Sequence, residues 1–313
     1  MLYVENDGLD PYENLALESY LFEHVDGEDV FMLWRNRPAI VCGSYQNIYA
    51  EVDVRLSRDL GVALARRDSG GGTVYHDEGN VNYTFIADAD PARGYERFIG
   101  PMVAALRLLG VRADMNRVCD IAVEGRKISG SAQRVSHGRV LHHGTLLYDT
   151  DLSRLAALSN GARAGYVSKA VPSKPYPVTN LRPYCPNALN DVGAFIDALR
   201  HALCGACAAW RPDEACIQAV RRLAEDKYRS WDWVFGRSPA FVRTVPFDLD
   251  GRRYQASLHV RHGVIGSIDF DGPVPELYQR LRSDLAGTRL DPDTLHSMKA
   301  AYPDAGHLID SLI

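Results

Sequence analysis

The chain has 313 residues, 46% hydrophobic and 24% charged, with a formal net charge of -5. Such a length can bury a sizeable core in about two domains, and the balance is that of a soluble globular enzyme, not a bulk nucleic-acid binder. The acidic opening MLYVENDGLD, the absence of an apolar run near the roughly 18 residues that span a bilayer, and only six cysteines lead us to expect a cytoplasmic protein without a disulfide framework.

Asp10, Pro11 and Glu13 read as an N-cap, a proline in the first turn and a capping-box acid, so a helix is expected to about Val25. DVFMLW and AIVCG read as strands on either side of the turn residues Asn36 and Pro38. GVALARR reads as a third, running into three consecutive glycines. VNYTFIA, rich in β-branched and aromatic residues, is expected to be a further strand. YERFIGPMVAALRLLG reads as a helix ended by Gly110, with Pro101 in its first turn or kinking it. DIAVEGRKISG and RVLHHGTLLYD read as paired strands with a basic loop between them. In NDVGAFIDALRHALCGACAAW, Val192, Phe195, Ile196, Leu199 and Leu203 recur at helical spacing. That pattern favours Cys204 and Cys207 as core residues over a zinc or redox site with His201 and Cys216.

This irregular order of strands and helices predicts an α+β fold with a mixed sheet. Near residue 236 the character changes. WDWVFGRSPAF gathers aromatics, Gly and Pro, then TVPFDL, RYQASLHV and VIGSIDF read as short strands joined by Asp-Gly and His-Gly turns. One helix is expected from about Val274. The expected division is a catalytic domain over 1–240, a linker over 236–246 and a small α+β domain over 247–313.

The stretch RRDSGGGTVYHDEGN, residues 66–80, raises the chemical question. Three residues without Cβ let backbone N–H groups face one way and a ligand approach the main chain. Such a concavity suits an anion, and Arg66 and Arg67 would add positive charge in fork geometry. No Lys follows to complete a P-loop, and a strand, not a helix, is expected next, so the dinucleotide fingerprint fails as well. Taken alone, the triplet also suits a surface turn. GRKISGSAQR adds Arg126, Lys127 and Arg134 among small residues, and HHGT adds His142 and His143, which as strand neighbours point to opposite faces.

Together RRDSGGGTVYHDEGN, GRKISGSAQR and HHGTLL resemble the three linked motifs of the lipoate–protein ligases. LWRNRPAIVCGSYQN upstream and PVTNL and WDWVFGRSPAF downstream extend the resemblance, in order, along nearly the whole chain. It implies the biotin- and lipoate-ligase catalytic fold, related to class II aminoacyl-tRNA synthetases, followed by a small accessory domain. The implied reaction condenses lipoic acid with ATP to lipoyl-AMP. The acyl group then passes to a lysine on a lipoyl domain of a 2-oxoacid dehydrogenase complex or on a glycine-cleavage H protein.

By that resemblance Lys127 is the catalytic residue, bridging carboxylate and α-phosphate oxygens without being acylated. Arg67, Ser69, Gly70, Gly71, Gly72, Thr73 and Val74 line the adenylate, followed by His76 and Asn80, with Arg134, His143 and Thr145 completing the polar wall. Trp34 borders the acyl tunnel. Mg²⁺ is expected with ATP, with Asp120 as its candidate ligand; the family has an Asn-Asp pair where this chain has Cys119-Asp120. Cys119 keeps one rival in view, an octanoyl- or lipoyltransferase that takes a carrier-bound acyl donor without ATP and forms a thioester. A non-catalytic protein binding lipoate or a lipoyl domain is the other. The resemblance also implies a monomer, and the net charge and the lack of a long apolar run lead us to expect no nucleic-acid or membrane partner.

Overall fold

The computed structural model describes residues 1–90, 92–116, 119–159, 164–174, 176–205 and 207–313. The strands run β1 (Leu2–Val4), β2 (Val30–Trp34), β3 (Ala39–Cys42), β4 (Ala63–Arg66), β5 (Val74–His76), β6 (Asn80–Asp88), β7 (Ala113–Asn116), β8 (Asp120–Val123), β9 (Arg126–Ser136), β10 (Arg139–Leu147), β11 (Tyr166–Ser168), β12 (Ala208–Trp210), β13 (Phe241–Leu249), β14 (Arg252–Arg261) and β15 (Val264–Phe270). The helices used below are α1 (Pro11–His24), α2 (Ile48–Glu51), α3 (Val54–Asp59), α4 (Glu96–Leu108), α5 (Leu152–Ser159), α6 (Val192–Cys204), α7 (Glu214–Leu223), α8 (Glu276–Leu285), α9 (Pro292–Ala301) and α10 (Gly306–Ser311). None of the described helices is long and apolar enough to cross a membrane.

The residues form two compact units. The first comprises 1–44, 65–155 and 174–229; the second comprises 45–64, 156–173 and 230–313. The second is thus drawn from three stretches, wider than the expected 247–313. Residues 241–246, expected as linker, are the first part of β13.

An eight-stranded mixed sheet, in the order β12-β1-β2-β6-β10-β9-β8-β7, organises the first unit, with β12, β1 and β2 parallel and the rest antiparallel. The α+β expectation holds. Strand alternation splits β6 between two faces. Val81, Tyr83 and Phe85 join the apolar core with Phe98, Met102 and Leu106 of α4 and Phe195 and Leu199 of α6. Asn80, Asn82 and Thr84 face the other way, toward α1, whose Glu18 is bonded by Thr84. Helix α1 begins where expected, because the Asp10 carboxylate accepts from the N–H groups of Tyr12 and Glu13 at 3.0 and 3.1 Å. Cys204 and Cys207 pack against the core.

DIAVEGRKISG is not one strand but a hairpin, β8 and β9, turning at Glu124-Gly125. The expected basic loop before β10 shrinks to His137-Gly138. Both turns, and those at Asp250-Gly251 and His262-Gly263, place two successive residues at φ between 49° and 74°. That is the left-handed pair a two-residue hairpin needs, which glycine accepts without strain.

In the second unit β11, β13, β14 and β15 form an antiparallel sheet. Three helices, α8 to α10, follow it instead of the one expected. The aromatic stretch near 236 is core, not linker: Phe235 and Phe241 lie 5.6 and 5.3 Å from Tyr49, whose hydroxyl donates to the Leu290 carbonyl at 2.9 Å.

Candidate active site

The glycine loop is held from beneath. Arg67 donates through Nη1 to the Val41 carbonyl at 3.0 Å, through Nη2 to the Gly70 and Gly72 carbonyls at 2.7 Å each, and through Nε to Ser69 Oγ at 3.0 Å. Burial lowers its pKa to about 10. Arg66, wholly buried, donates to the Gly43 carbonyl at 2.9 Å. Both arginines therefore supply charge below the loop, and their bonds run to the chain itself.

With those carbonyls drawn inward, the N–H groups of Gly71 and Gly72, both exposed, have no hydrogen-bond partner among the described residues. This is a nest-like arrangement suited to an anion. Gly71 is left-handed at φ 84°, and a Cβ on Gly43 would sit 2.3 Å from its carbonyl oxygen, so two backbones meet where no side chain fits. Thr73 turns its hydroxyl to Cys42 Sγ at 3.4 Å, and Val74 opens β5.

A hydrogen-bond series runs behind the loop through the interior. Ser69 Oγ lies 2.6 Å from His143 Nε2. His143 Nδ1 is 3.0 Å from Glu18 Oε1, Thr84 Oγ1 donates to Glu18 Oε1 at 2.5 Å, and Trp34 Nε1 donates to Thr84 Oγ1 at 2.9 Å. The carboxylate only accepts, so His143 Nδ1 donates to Glu18, and Nε2 meets the Ser69 hydroxyl on the other side of the ring. Ser69 and His143 are therefore brought together, and both are buried.

Lys127 stands at the other end of β9. The 177–179 segment grips it through Lys127 N–H to the Pro177 carbonyl and Thr179 N–H to the Lys127 carbonyl, at 2.9 and 3.0 Å. Its Nζ is 2.7 Å from Asp120 Oδ1, with the lysine side chain 27% exposed and the aspartate 7%. Gly130 lies opposite Asp120, and a Cβ there would stand 2.7 Å from Lys127 Nζ. Gly130 N–H donates to Thr145 Oγ1 at 3.3 Å, so Thr145 joins this end. The Cys119 thiol points to Asp120 Oδ1 at 3.8 Å, and Ser131 holds the Cys119 carbonyl.

Alternation on β9 puts Gly130, Ala132 and Arg134 in one row. A Cβ on Gly71 would touch Ala132 Cβ at 3.4 Å, so the row links the lysine to the glycine loop. Arg134 lies four residues from Gly130, about 13 Å at strand rise. It pairs with Glu23 at 3.4 Å and Asp68 at 3.7 Å. Burial alone would raise the Asp68 carboxyl, but hydrogen bonds from Lys227 and Tyr228 outweigh it and hold that carboxyl low. Arg134 thus belongs to a cluster apart from Lys127.

His76, Asn80 and Trp34 gather on the α1 side of the sheet. His76 Nδ1 accepts from Asn36, and its ring meets Trp34 edge-on at 6.0 Å. Burial, then the neighbouring Arg67 and His143, lower its pKa to about 3, so it is a neutral imidazole. Asn80 donates to Asn82 at 2.9 Å, while His76 Nε2, Asn80 Oδ1 and Asn82 Nδ2 stay buried without a hydrogen-bond partner among the described residues. Such atoms are costly to bury unless a ligand or water meets them.

Sequence reasoning misses Glu18, Thr84 and Asn82. Glu18 lies among Leu15, Ala16, Leu17, Leu21 and Phe22, and an acid inside an apolar run is the one signal it offers. No group of three or more His, Cys, Asp or Glu side chains placed to hold a metal occurs among the described residues.

The site can therefore gather anions between a row of free N–H groups and an ammonium. Residues 10–204, well over half the chain, match the family model for the lipoyl protein ligase A/B catalytic domain. Lipoate-protein ligase LplJ of Bacillus subtilis (strain 168) is 34% identical over 249 residues, covering 77% of this chain and 75% of that protein. The mitochondrial lipoyl amidotransferase LIPT1 of Mus musculus is 33% identical over 312 residues, covering 93% and 82%. A crystal structure of lipoate-protein ligase A bound with ATP shares the fold at a TM-score of 0.60 and 24% identity, over 76% of this chain and 97% of that one. By its sequence the chain belongs to the lipoate–protein ligase family, through the A/B catalytic domain.

Proposed function

We propose that the chain is an ATP-dependent lipoate–protein ligase. The observation that carries this reading is Lys127, an ammonium 2.7 Å from a buried carboxylate and joined along β9 to a glycine loop with free N–H groups. In the first step a lipoate carboxylate oxygen bonds to the α-phosphorus of ATP while the bond to the leaving pyrophosphate breaks. Two anions meet and negative charge builds, which preorganised donors and cations offset. Lys127 Nζ bridges the carboxylate and α-phosphate oxygens. Gly70, Gly71 and Gly72 offer N–H groups, with Arg66 and Arg67 supplying charge beneath them. In the second step an acceptor lysine nitrogen attacks the acyl carbon, AMP leaves and the amine gives up a proton, with Lys127 polarising the carbonyl.

Ser69, Thr73 and Val74 shape the loop, His76, Asn80 and Thr145 wall the pocket, and Trp34 borders the acyl chain. His143 and Arg134 act through Ser69 and Asp68, which they touch. Asp120, whose Oδ1 meets the Lys127 ammonium, is the carboxylate that would stand beside Mg²⁺. Mg²⁺ arriving with ATP would be held chiefly by phosphate oxygens.

The first unit is the catalytic part and the second the accessory part of this reading. The acceptor is a lipoyl domain or an H protein, and the chain acts as a monomer in the cytoplasm; none of the six cysteines is in a disulfide, which suits a reducing compartment.

A second reading, transfer from an already activated donor without ATP, is favoured by the similarity to LIPT1 over 93% of the chain. The Cys119 thiol points at Asp120 Oδ1, the same oxygen that holds the Lys127 ammonium, so Cys119→Ser tests whether it takes part. Incubation with an apo lipoyl domain separates the two. Lipoylation from free lipoate only with ATP supports the ligase; modification from octanoyl-carrier protein without nucleotide supports the transferase.

A further inference from the structure

We propose that Thr84 is a positioning residue for the glycine loop, acting at a distance through Glu18, His143 and Ser69. Thr84 is wholly buried on β6, and nothing in the ligase chemistry calls for its hydroxyl. Yet that hydroxyl is engaged on both sides. It accepts from Trp34 Nε1 at 2.9 Å and donates to Glu18 Oε1 at 2.5 Å.

An indole N–H can only donate, so the Thr84 proton must point to the carboxylate. Glu18 also takes the His143 Nδ1 proton at 3.0 Å, and His143 Nε2 meets Ser69 Oγ at 2.6 Å. Ser69 Oγ in turn accepts from Arg67 Nε at 3.0 Å, with Arg67 Nη2 holding the Gly70 and Gly72 carbonyls. The series thus runs unbroken from the buried indole at one end to the loop carbonyls at the other.

Without the Thr84 hydroxyl, Glu18 loses one fixed donor and can rotate against His143 Nδ1, which faces both carboxylate oxygens at 3.0 and 3.2 Å, so the His143 ring is held less firmly against Ser69. The Ser69 hydroxyl then has a second acceptor within reach, the Gly70 carbonyl at 3.4 Å. That carbonyl is one of the two that Arg67 turns inward, so the loop feels a change made on the central strand. The Gly71 and Gly72 N–H groups would then be less firmly held.

The link to ATP rests on the ligase reading; the link to the loop does not. The test uses the full chain as Thr84→Val, which keeps the shape and loses the hydroxyl, Thr84→Ser, which keeps the hydroxyl, Ser69→Ala, and the Thr84→Val/Ser69→Ala double variant. Two readouts are taken: ATP affinity by calorimetry and amide hydrogen exchange over residues 69–73. Thr84→Val should weaken ATP about tenfold and speed exchange in the loop, with Thr84→Ser close to wild type. The double variant should be no weaker than the worse single one, because both cut the same series. Effects that multiply, or loop exchange unchanged in Thr84→Val, would overturn the proposal. If the wild type binds no ATP, the ligase reading fails, and the exchange data alone decide whether Thr84 governs the loop.

Discussion

Lys127 Nζ stands 2.7 Å from Asp120 Oδ1, above a glycine whose Cβ would intrude on the lysine at 2.7 Å. Gly130→Ala is therefore a probe of where the ammonium must be. The clash is with the far end of a flexible side chain, so the fold can yield by moving the lysine. Adenylate formation should fall about a hundredfold, the penalty of a displacement near 1 Å, while the melting temperature stays within a degree or so of wild type. Single-turnover kinetics beside a thermal melt would check it. Unchanged kinetics would mean that the lysine position is not critical.

At Gly43 the opposing atom is backbone, the Gly71 carbonyl oxygen, 2.3 Å from where an alanine methyl would stand. Gly43→Ala must push the glycine loop itself. Stability should drop by roughly 1–3 kcal/mol, as for other overpacked positions, and ATP affinity should fall with it. Urea denaturation and calorimetry would read both. Loss of stability with full ATP affinity would dissociate the loop from nucleotide binding.

Acid sensitivity follows from two buried histidines. Burial, with the neighbouring His143 adding to it, lowers the His142 pKa from 6.5 to about 3, and His76 is likewise lowered to about 3. Between those values the unfolded chain binds protons that the folded chain refuses. Stability is thus complete above the unfolded pKa and lost as pH falls toward 3. His142 stacks on Phe98 at 4.8 Å and is held by Gln133 at 3.0 Å, so Phe can replace it with little change in packing. His142→Phe should cost about 1 kcal/mol at pH 7 through the stranded Gln133 amide. At pH 4.5 it should recover on the order of 2 kcal/mol relative to wild type. Urea midpoints at the two pH values measure the difference, and parallel curves would contradict it.

A cut at residue 246 is not a clean domain removal. It leaves six of the nine residues of β13 without β14 and takes Leu290 away from the Tyr49 hydroxyl. The truncated chain should lose cooperative unfolding in its second unit, seen as a broadened thermal transition. A sharp transition at the wild-type midpoint would show that residues 247–313 are dispensable for that unit.

How much of this is legible in the sequence depends on the range of the interactions. The hairpins at Asp250-Gly251 and His262-Gly263 are local, since the left-handed pair is written into two adjacent residues. The glycine loop and Lys127 are legible as unusual chemistry and as a family pattern. Arg67 is legible as a charge but not as a buried scaffold, because its partners Val41, Gly70 and Gly72 are known only once β3 lies beside it. Glu18 looks like a surface acid until His143, 125 residues away, is placed against it. The second unit escapes a linear reading for the same reason: Tyr49, Tyr166 and Phe241 share one aromatic core from three separate stretches.

The most direct measurement is lipoate-dependent exchange of labelled pyrophosphate into ATP, made on wild type, Lys127→Ala and Cys119→Ser. Exchange by the wild type that is lost by at least about a thousandfold in Lys127→Ala and kept in Cys119→Ser is the predicted result. No exchange in the wild type, with cysteine-dependent acyl transfer from octanoyl-carrier protein, would contradict the ligase account and make the chain a transferase.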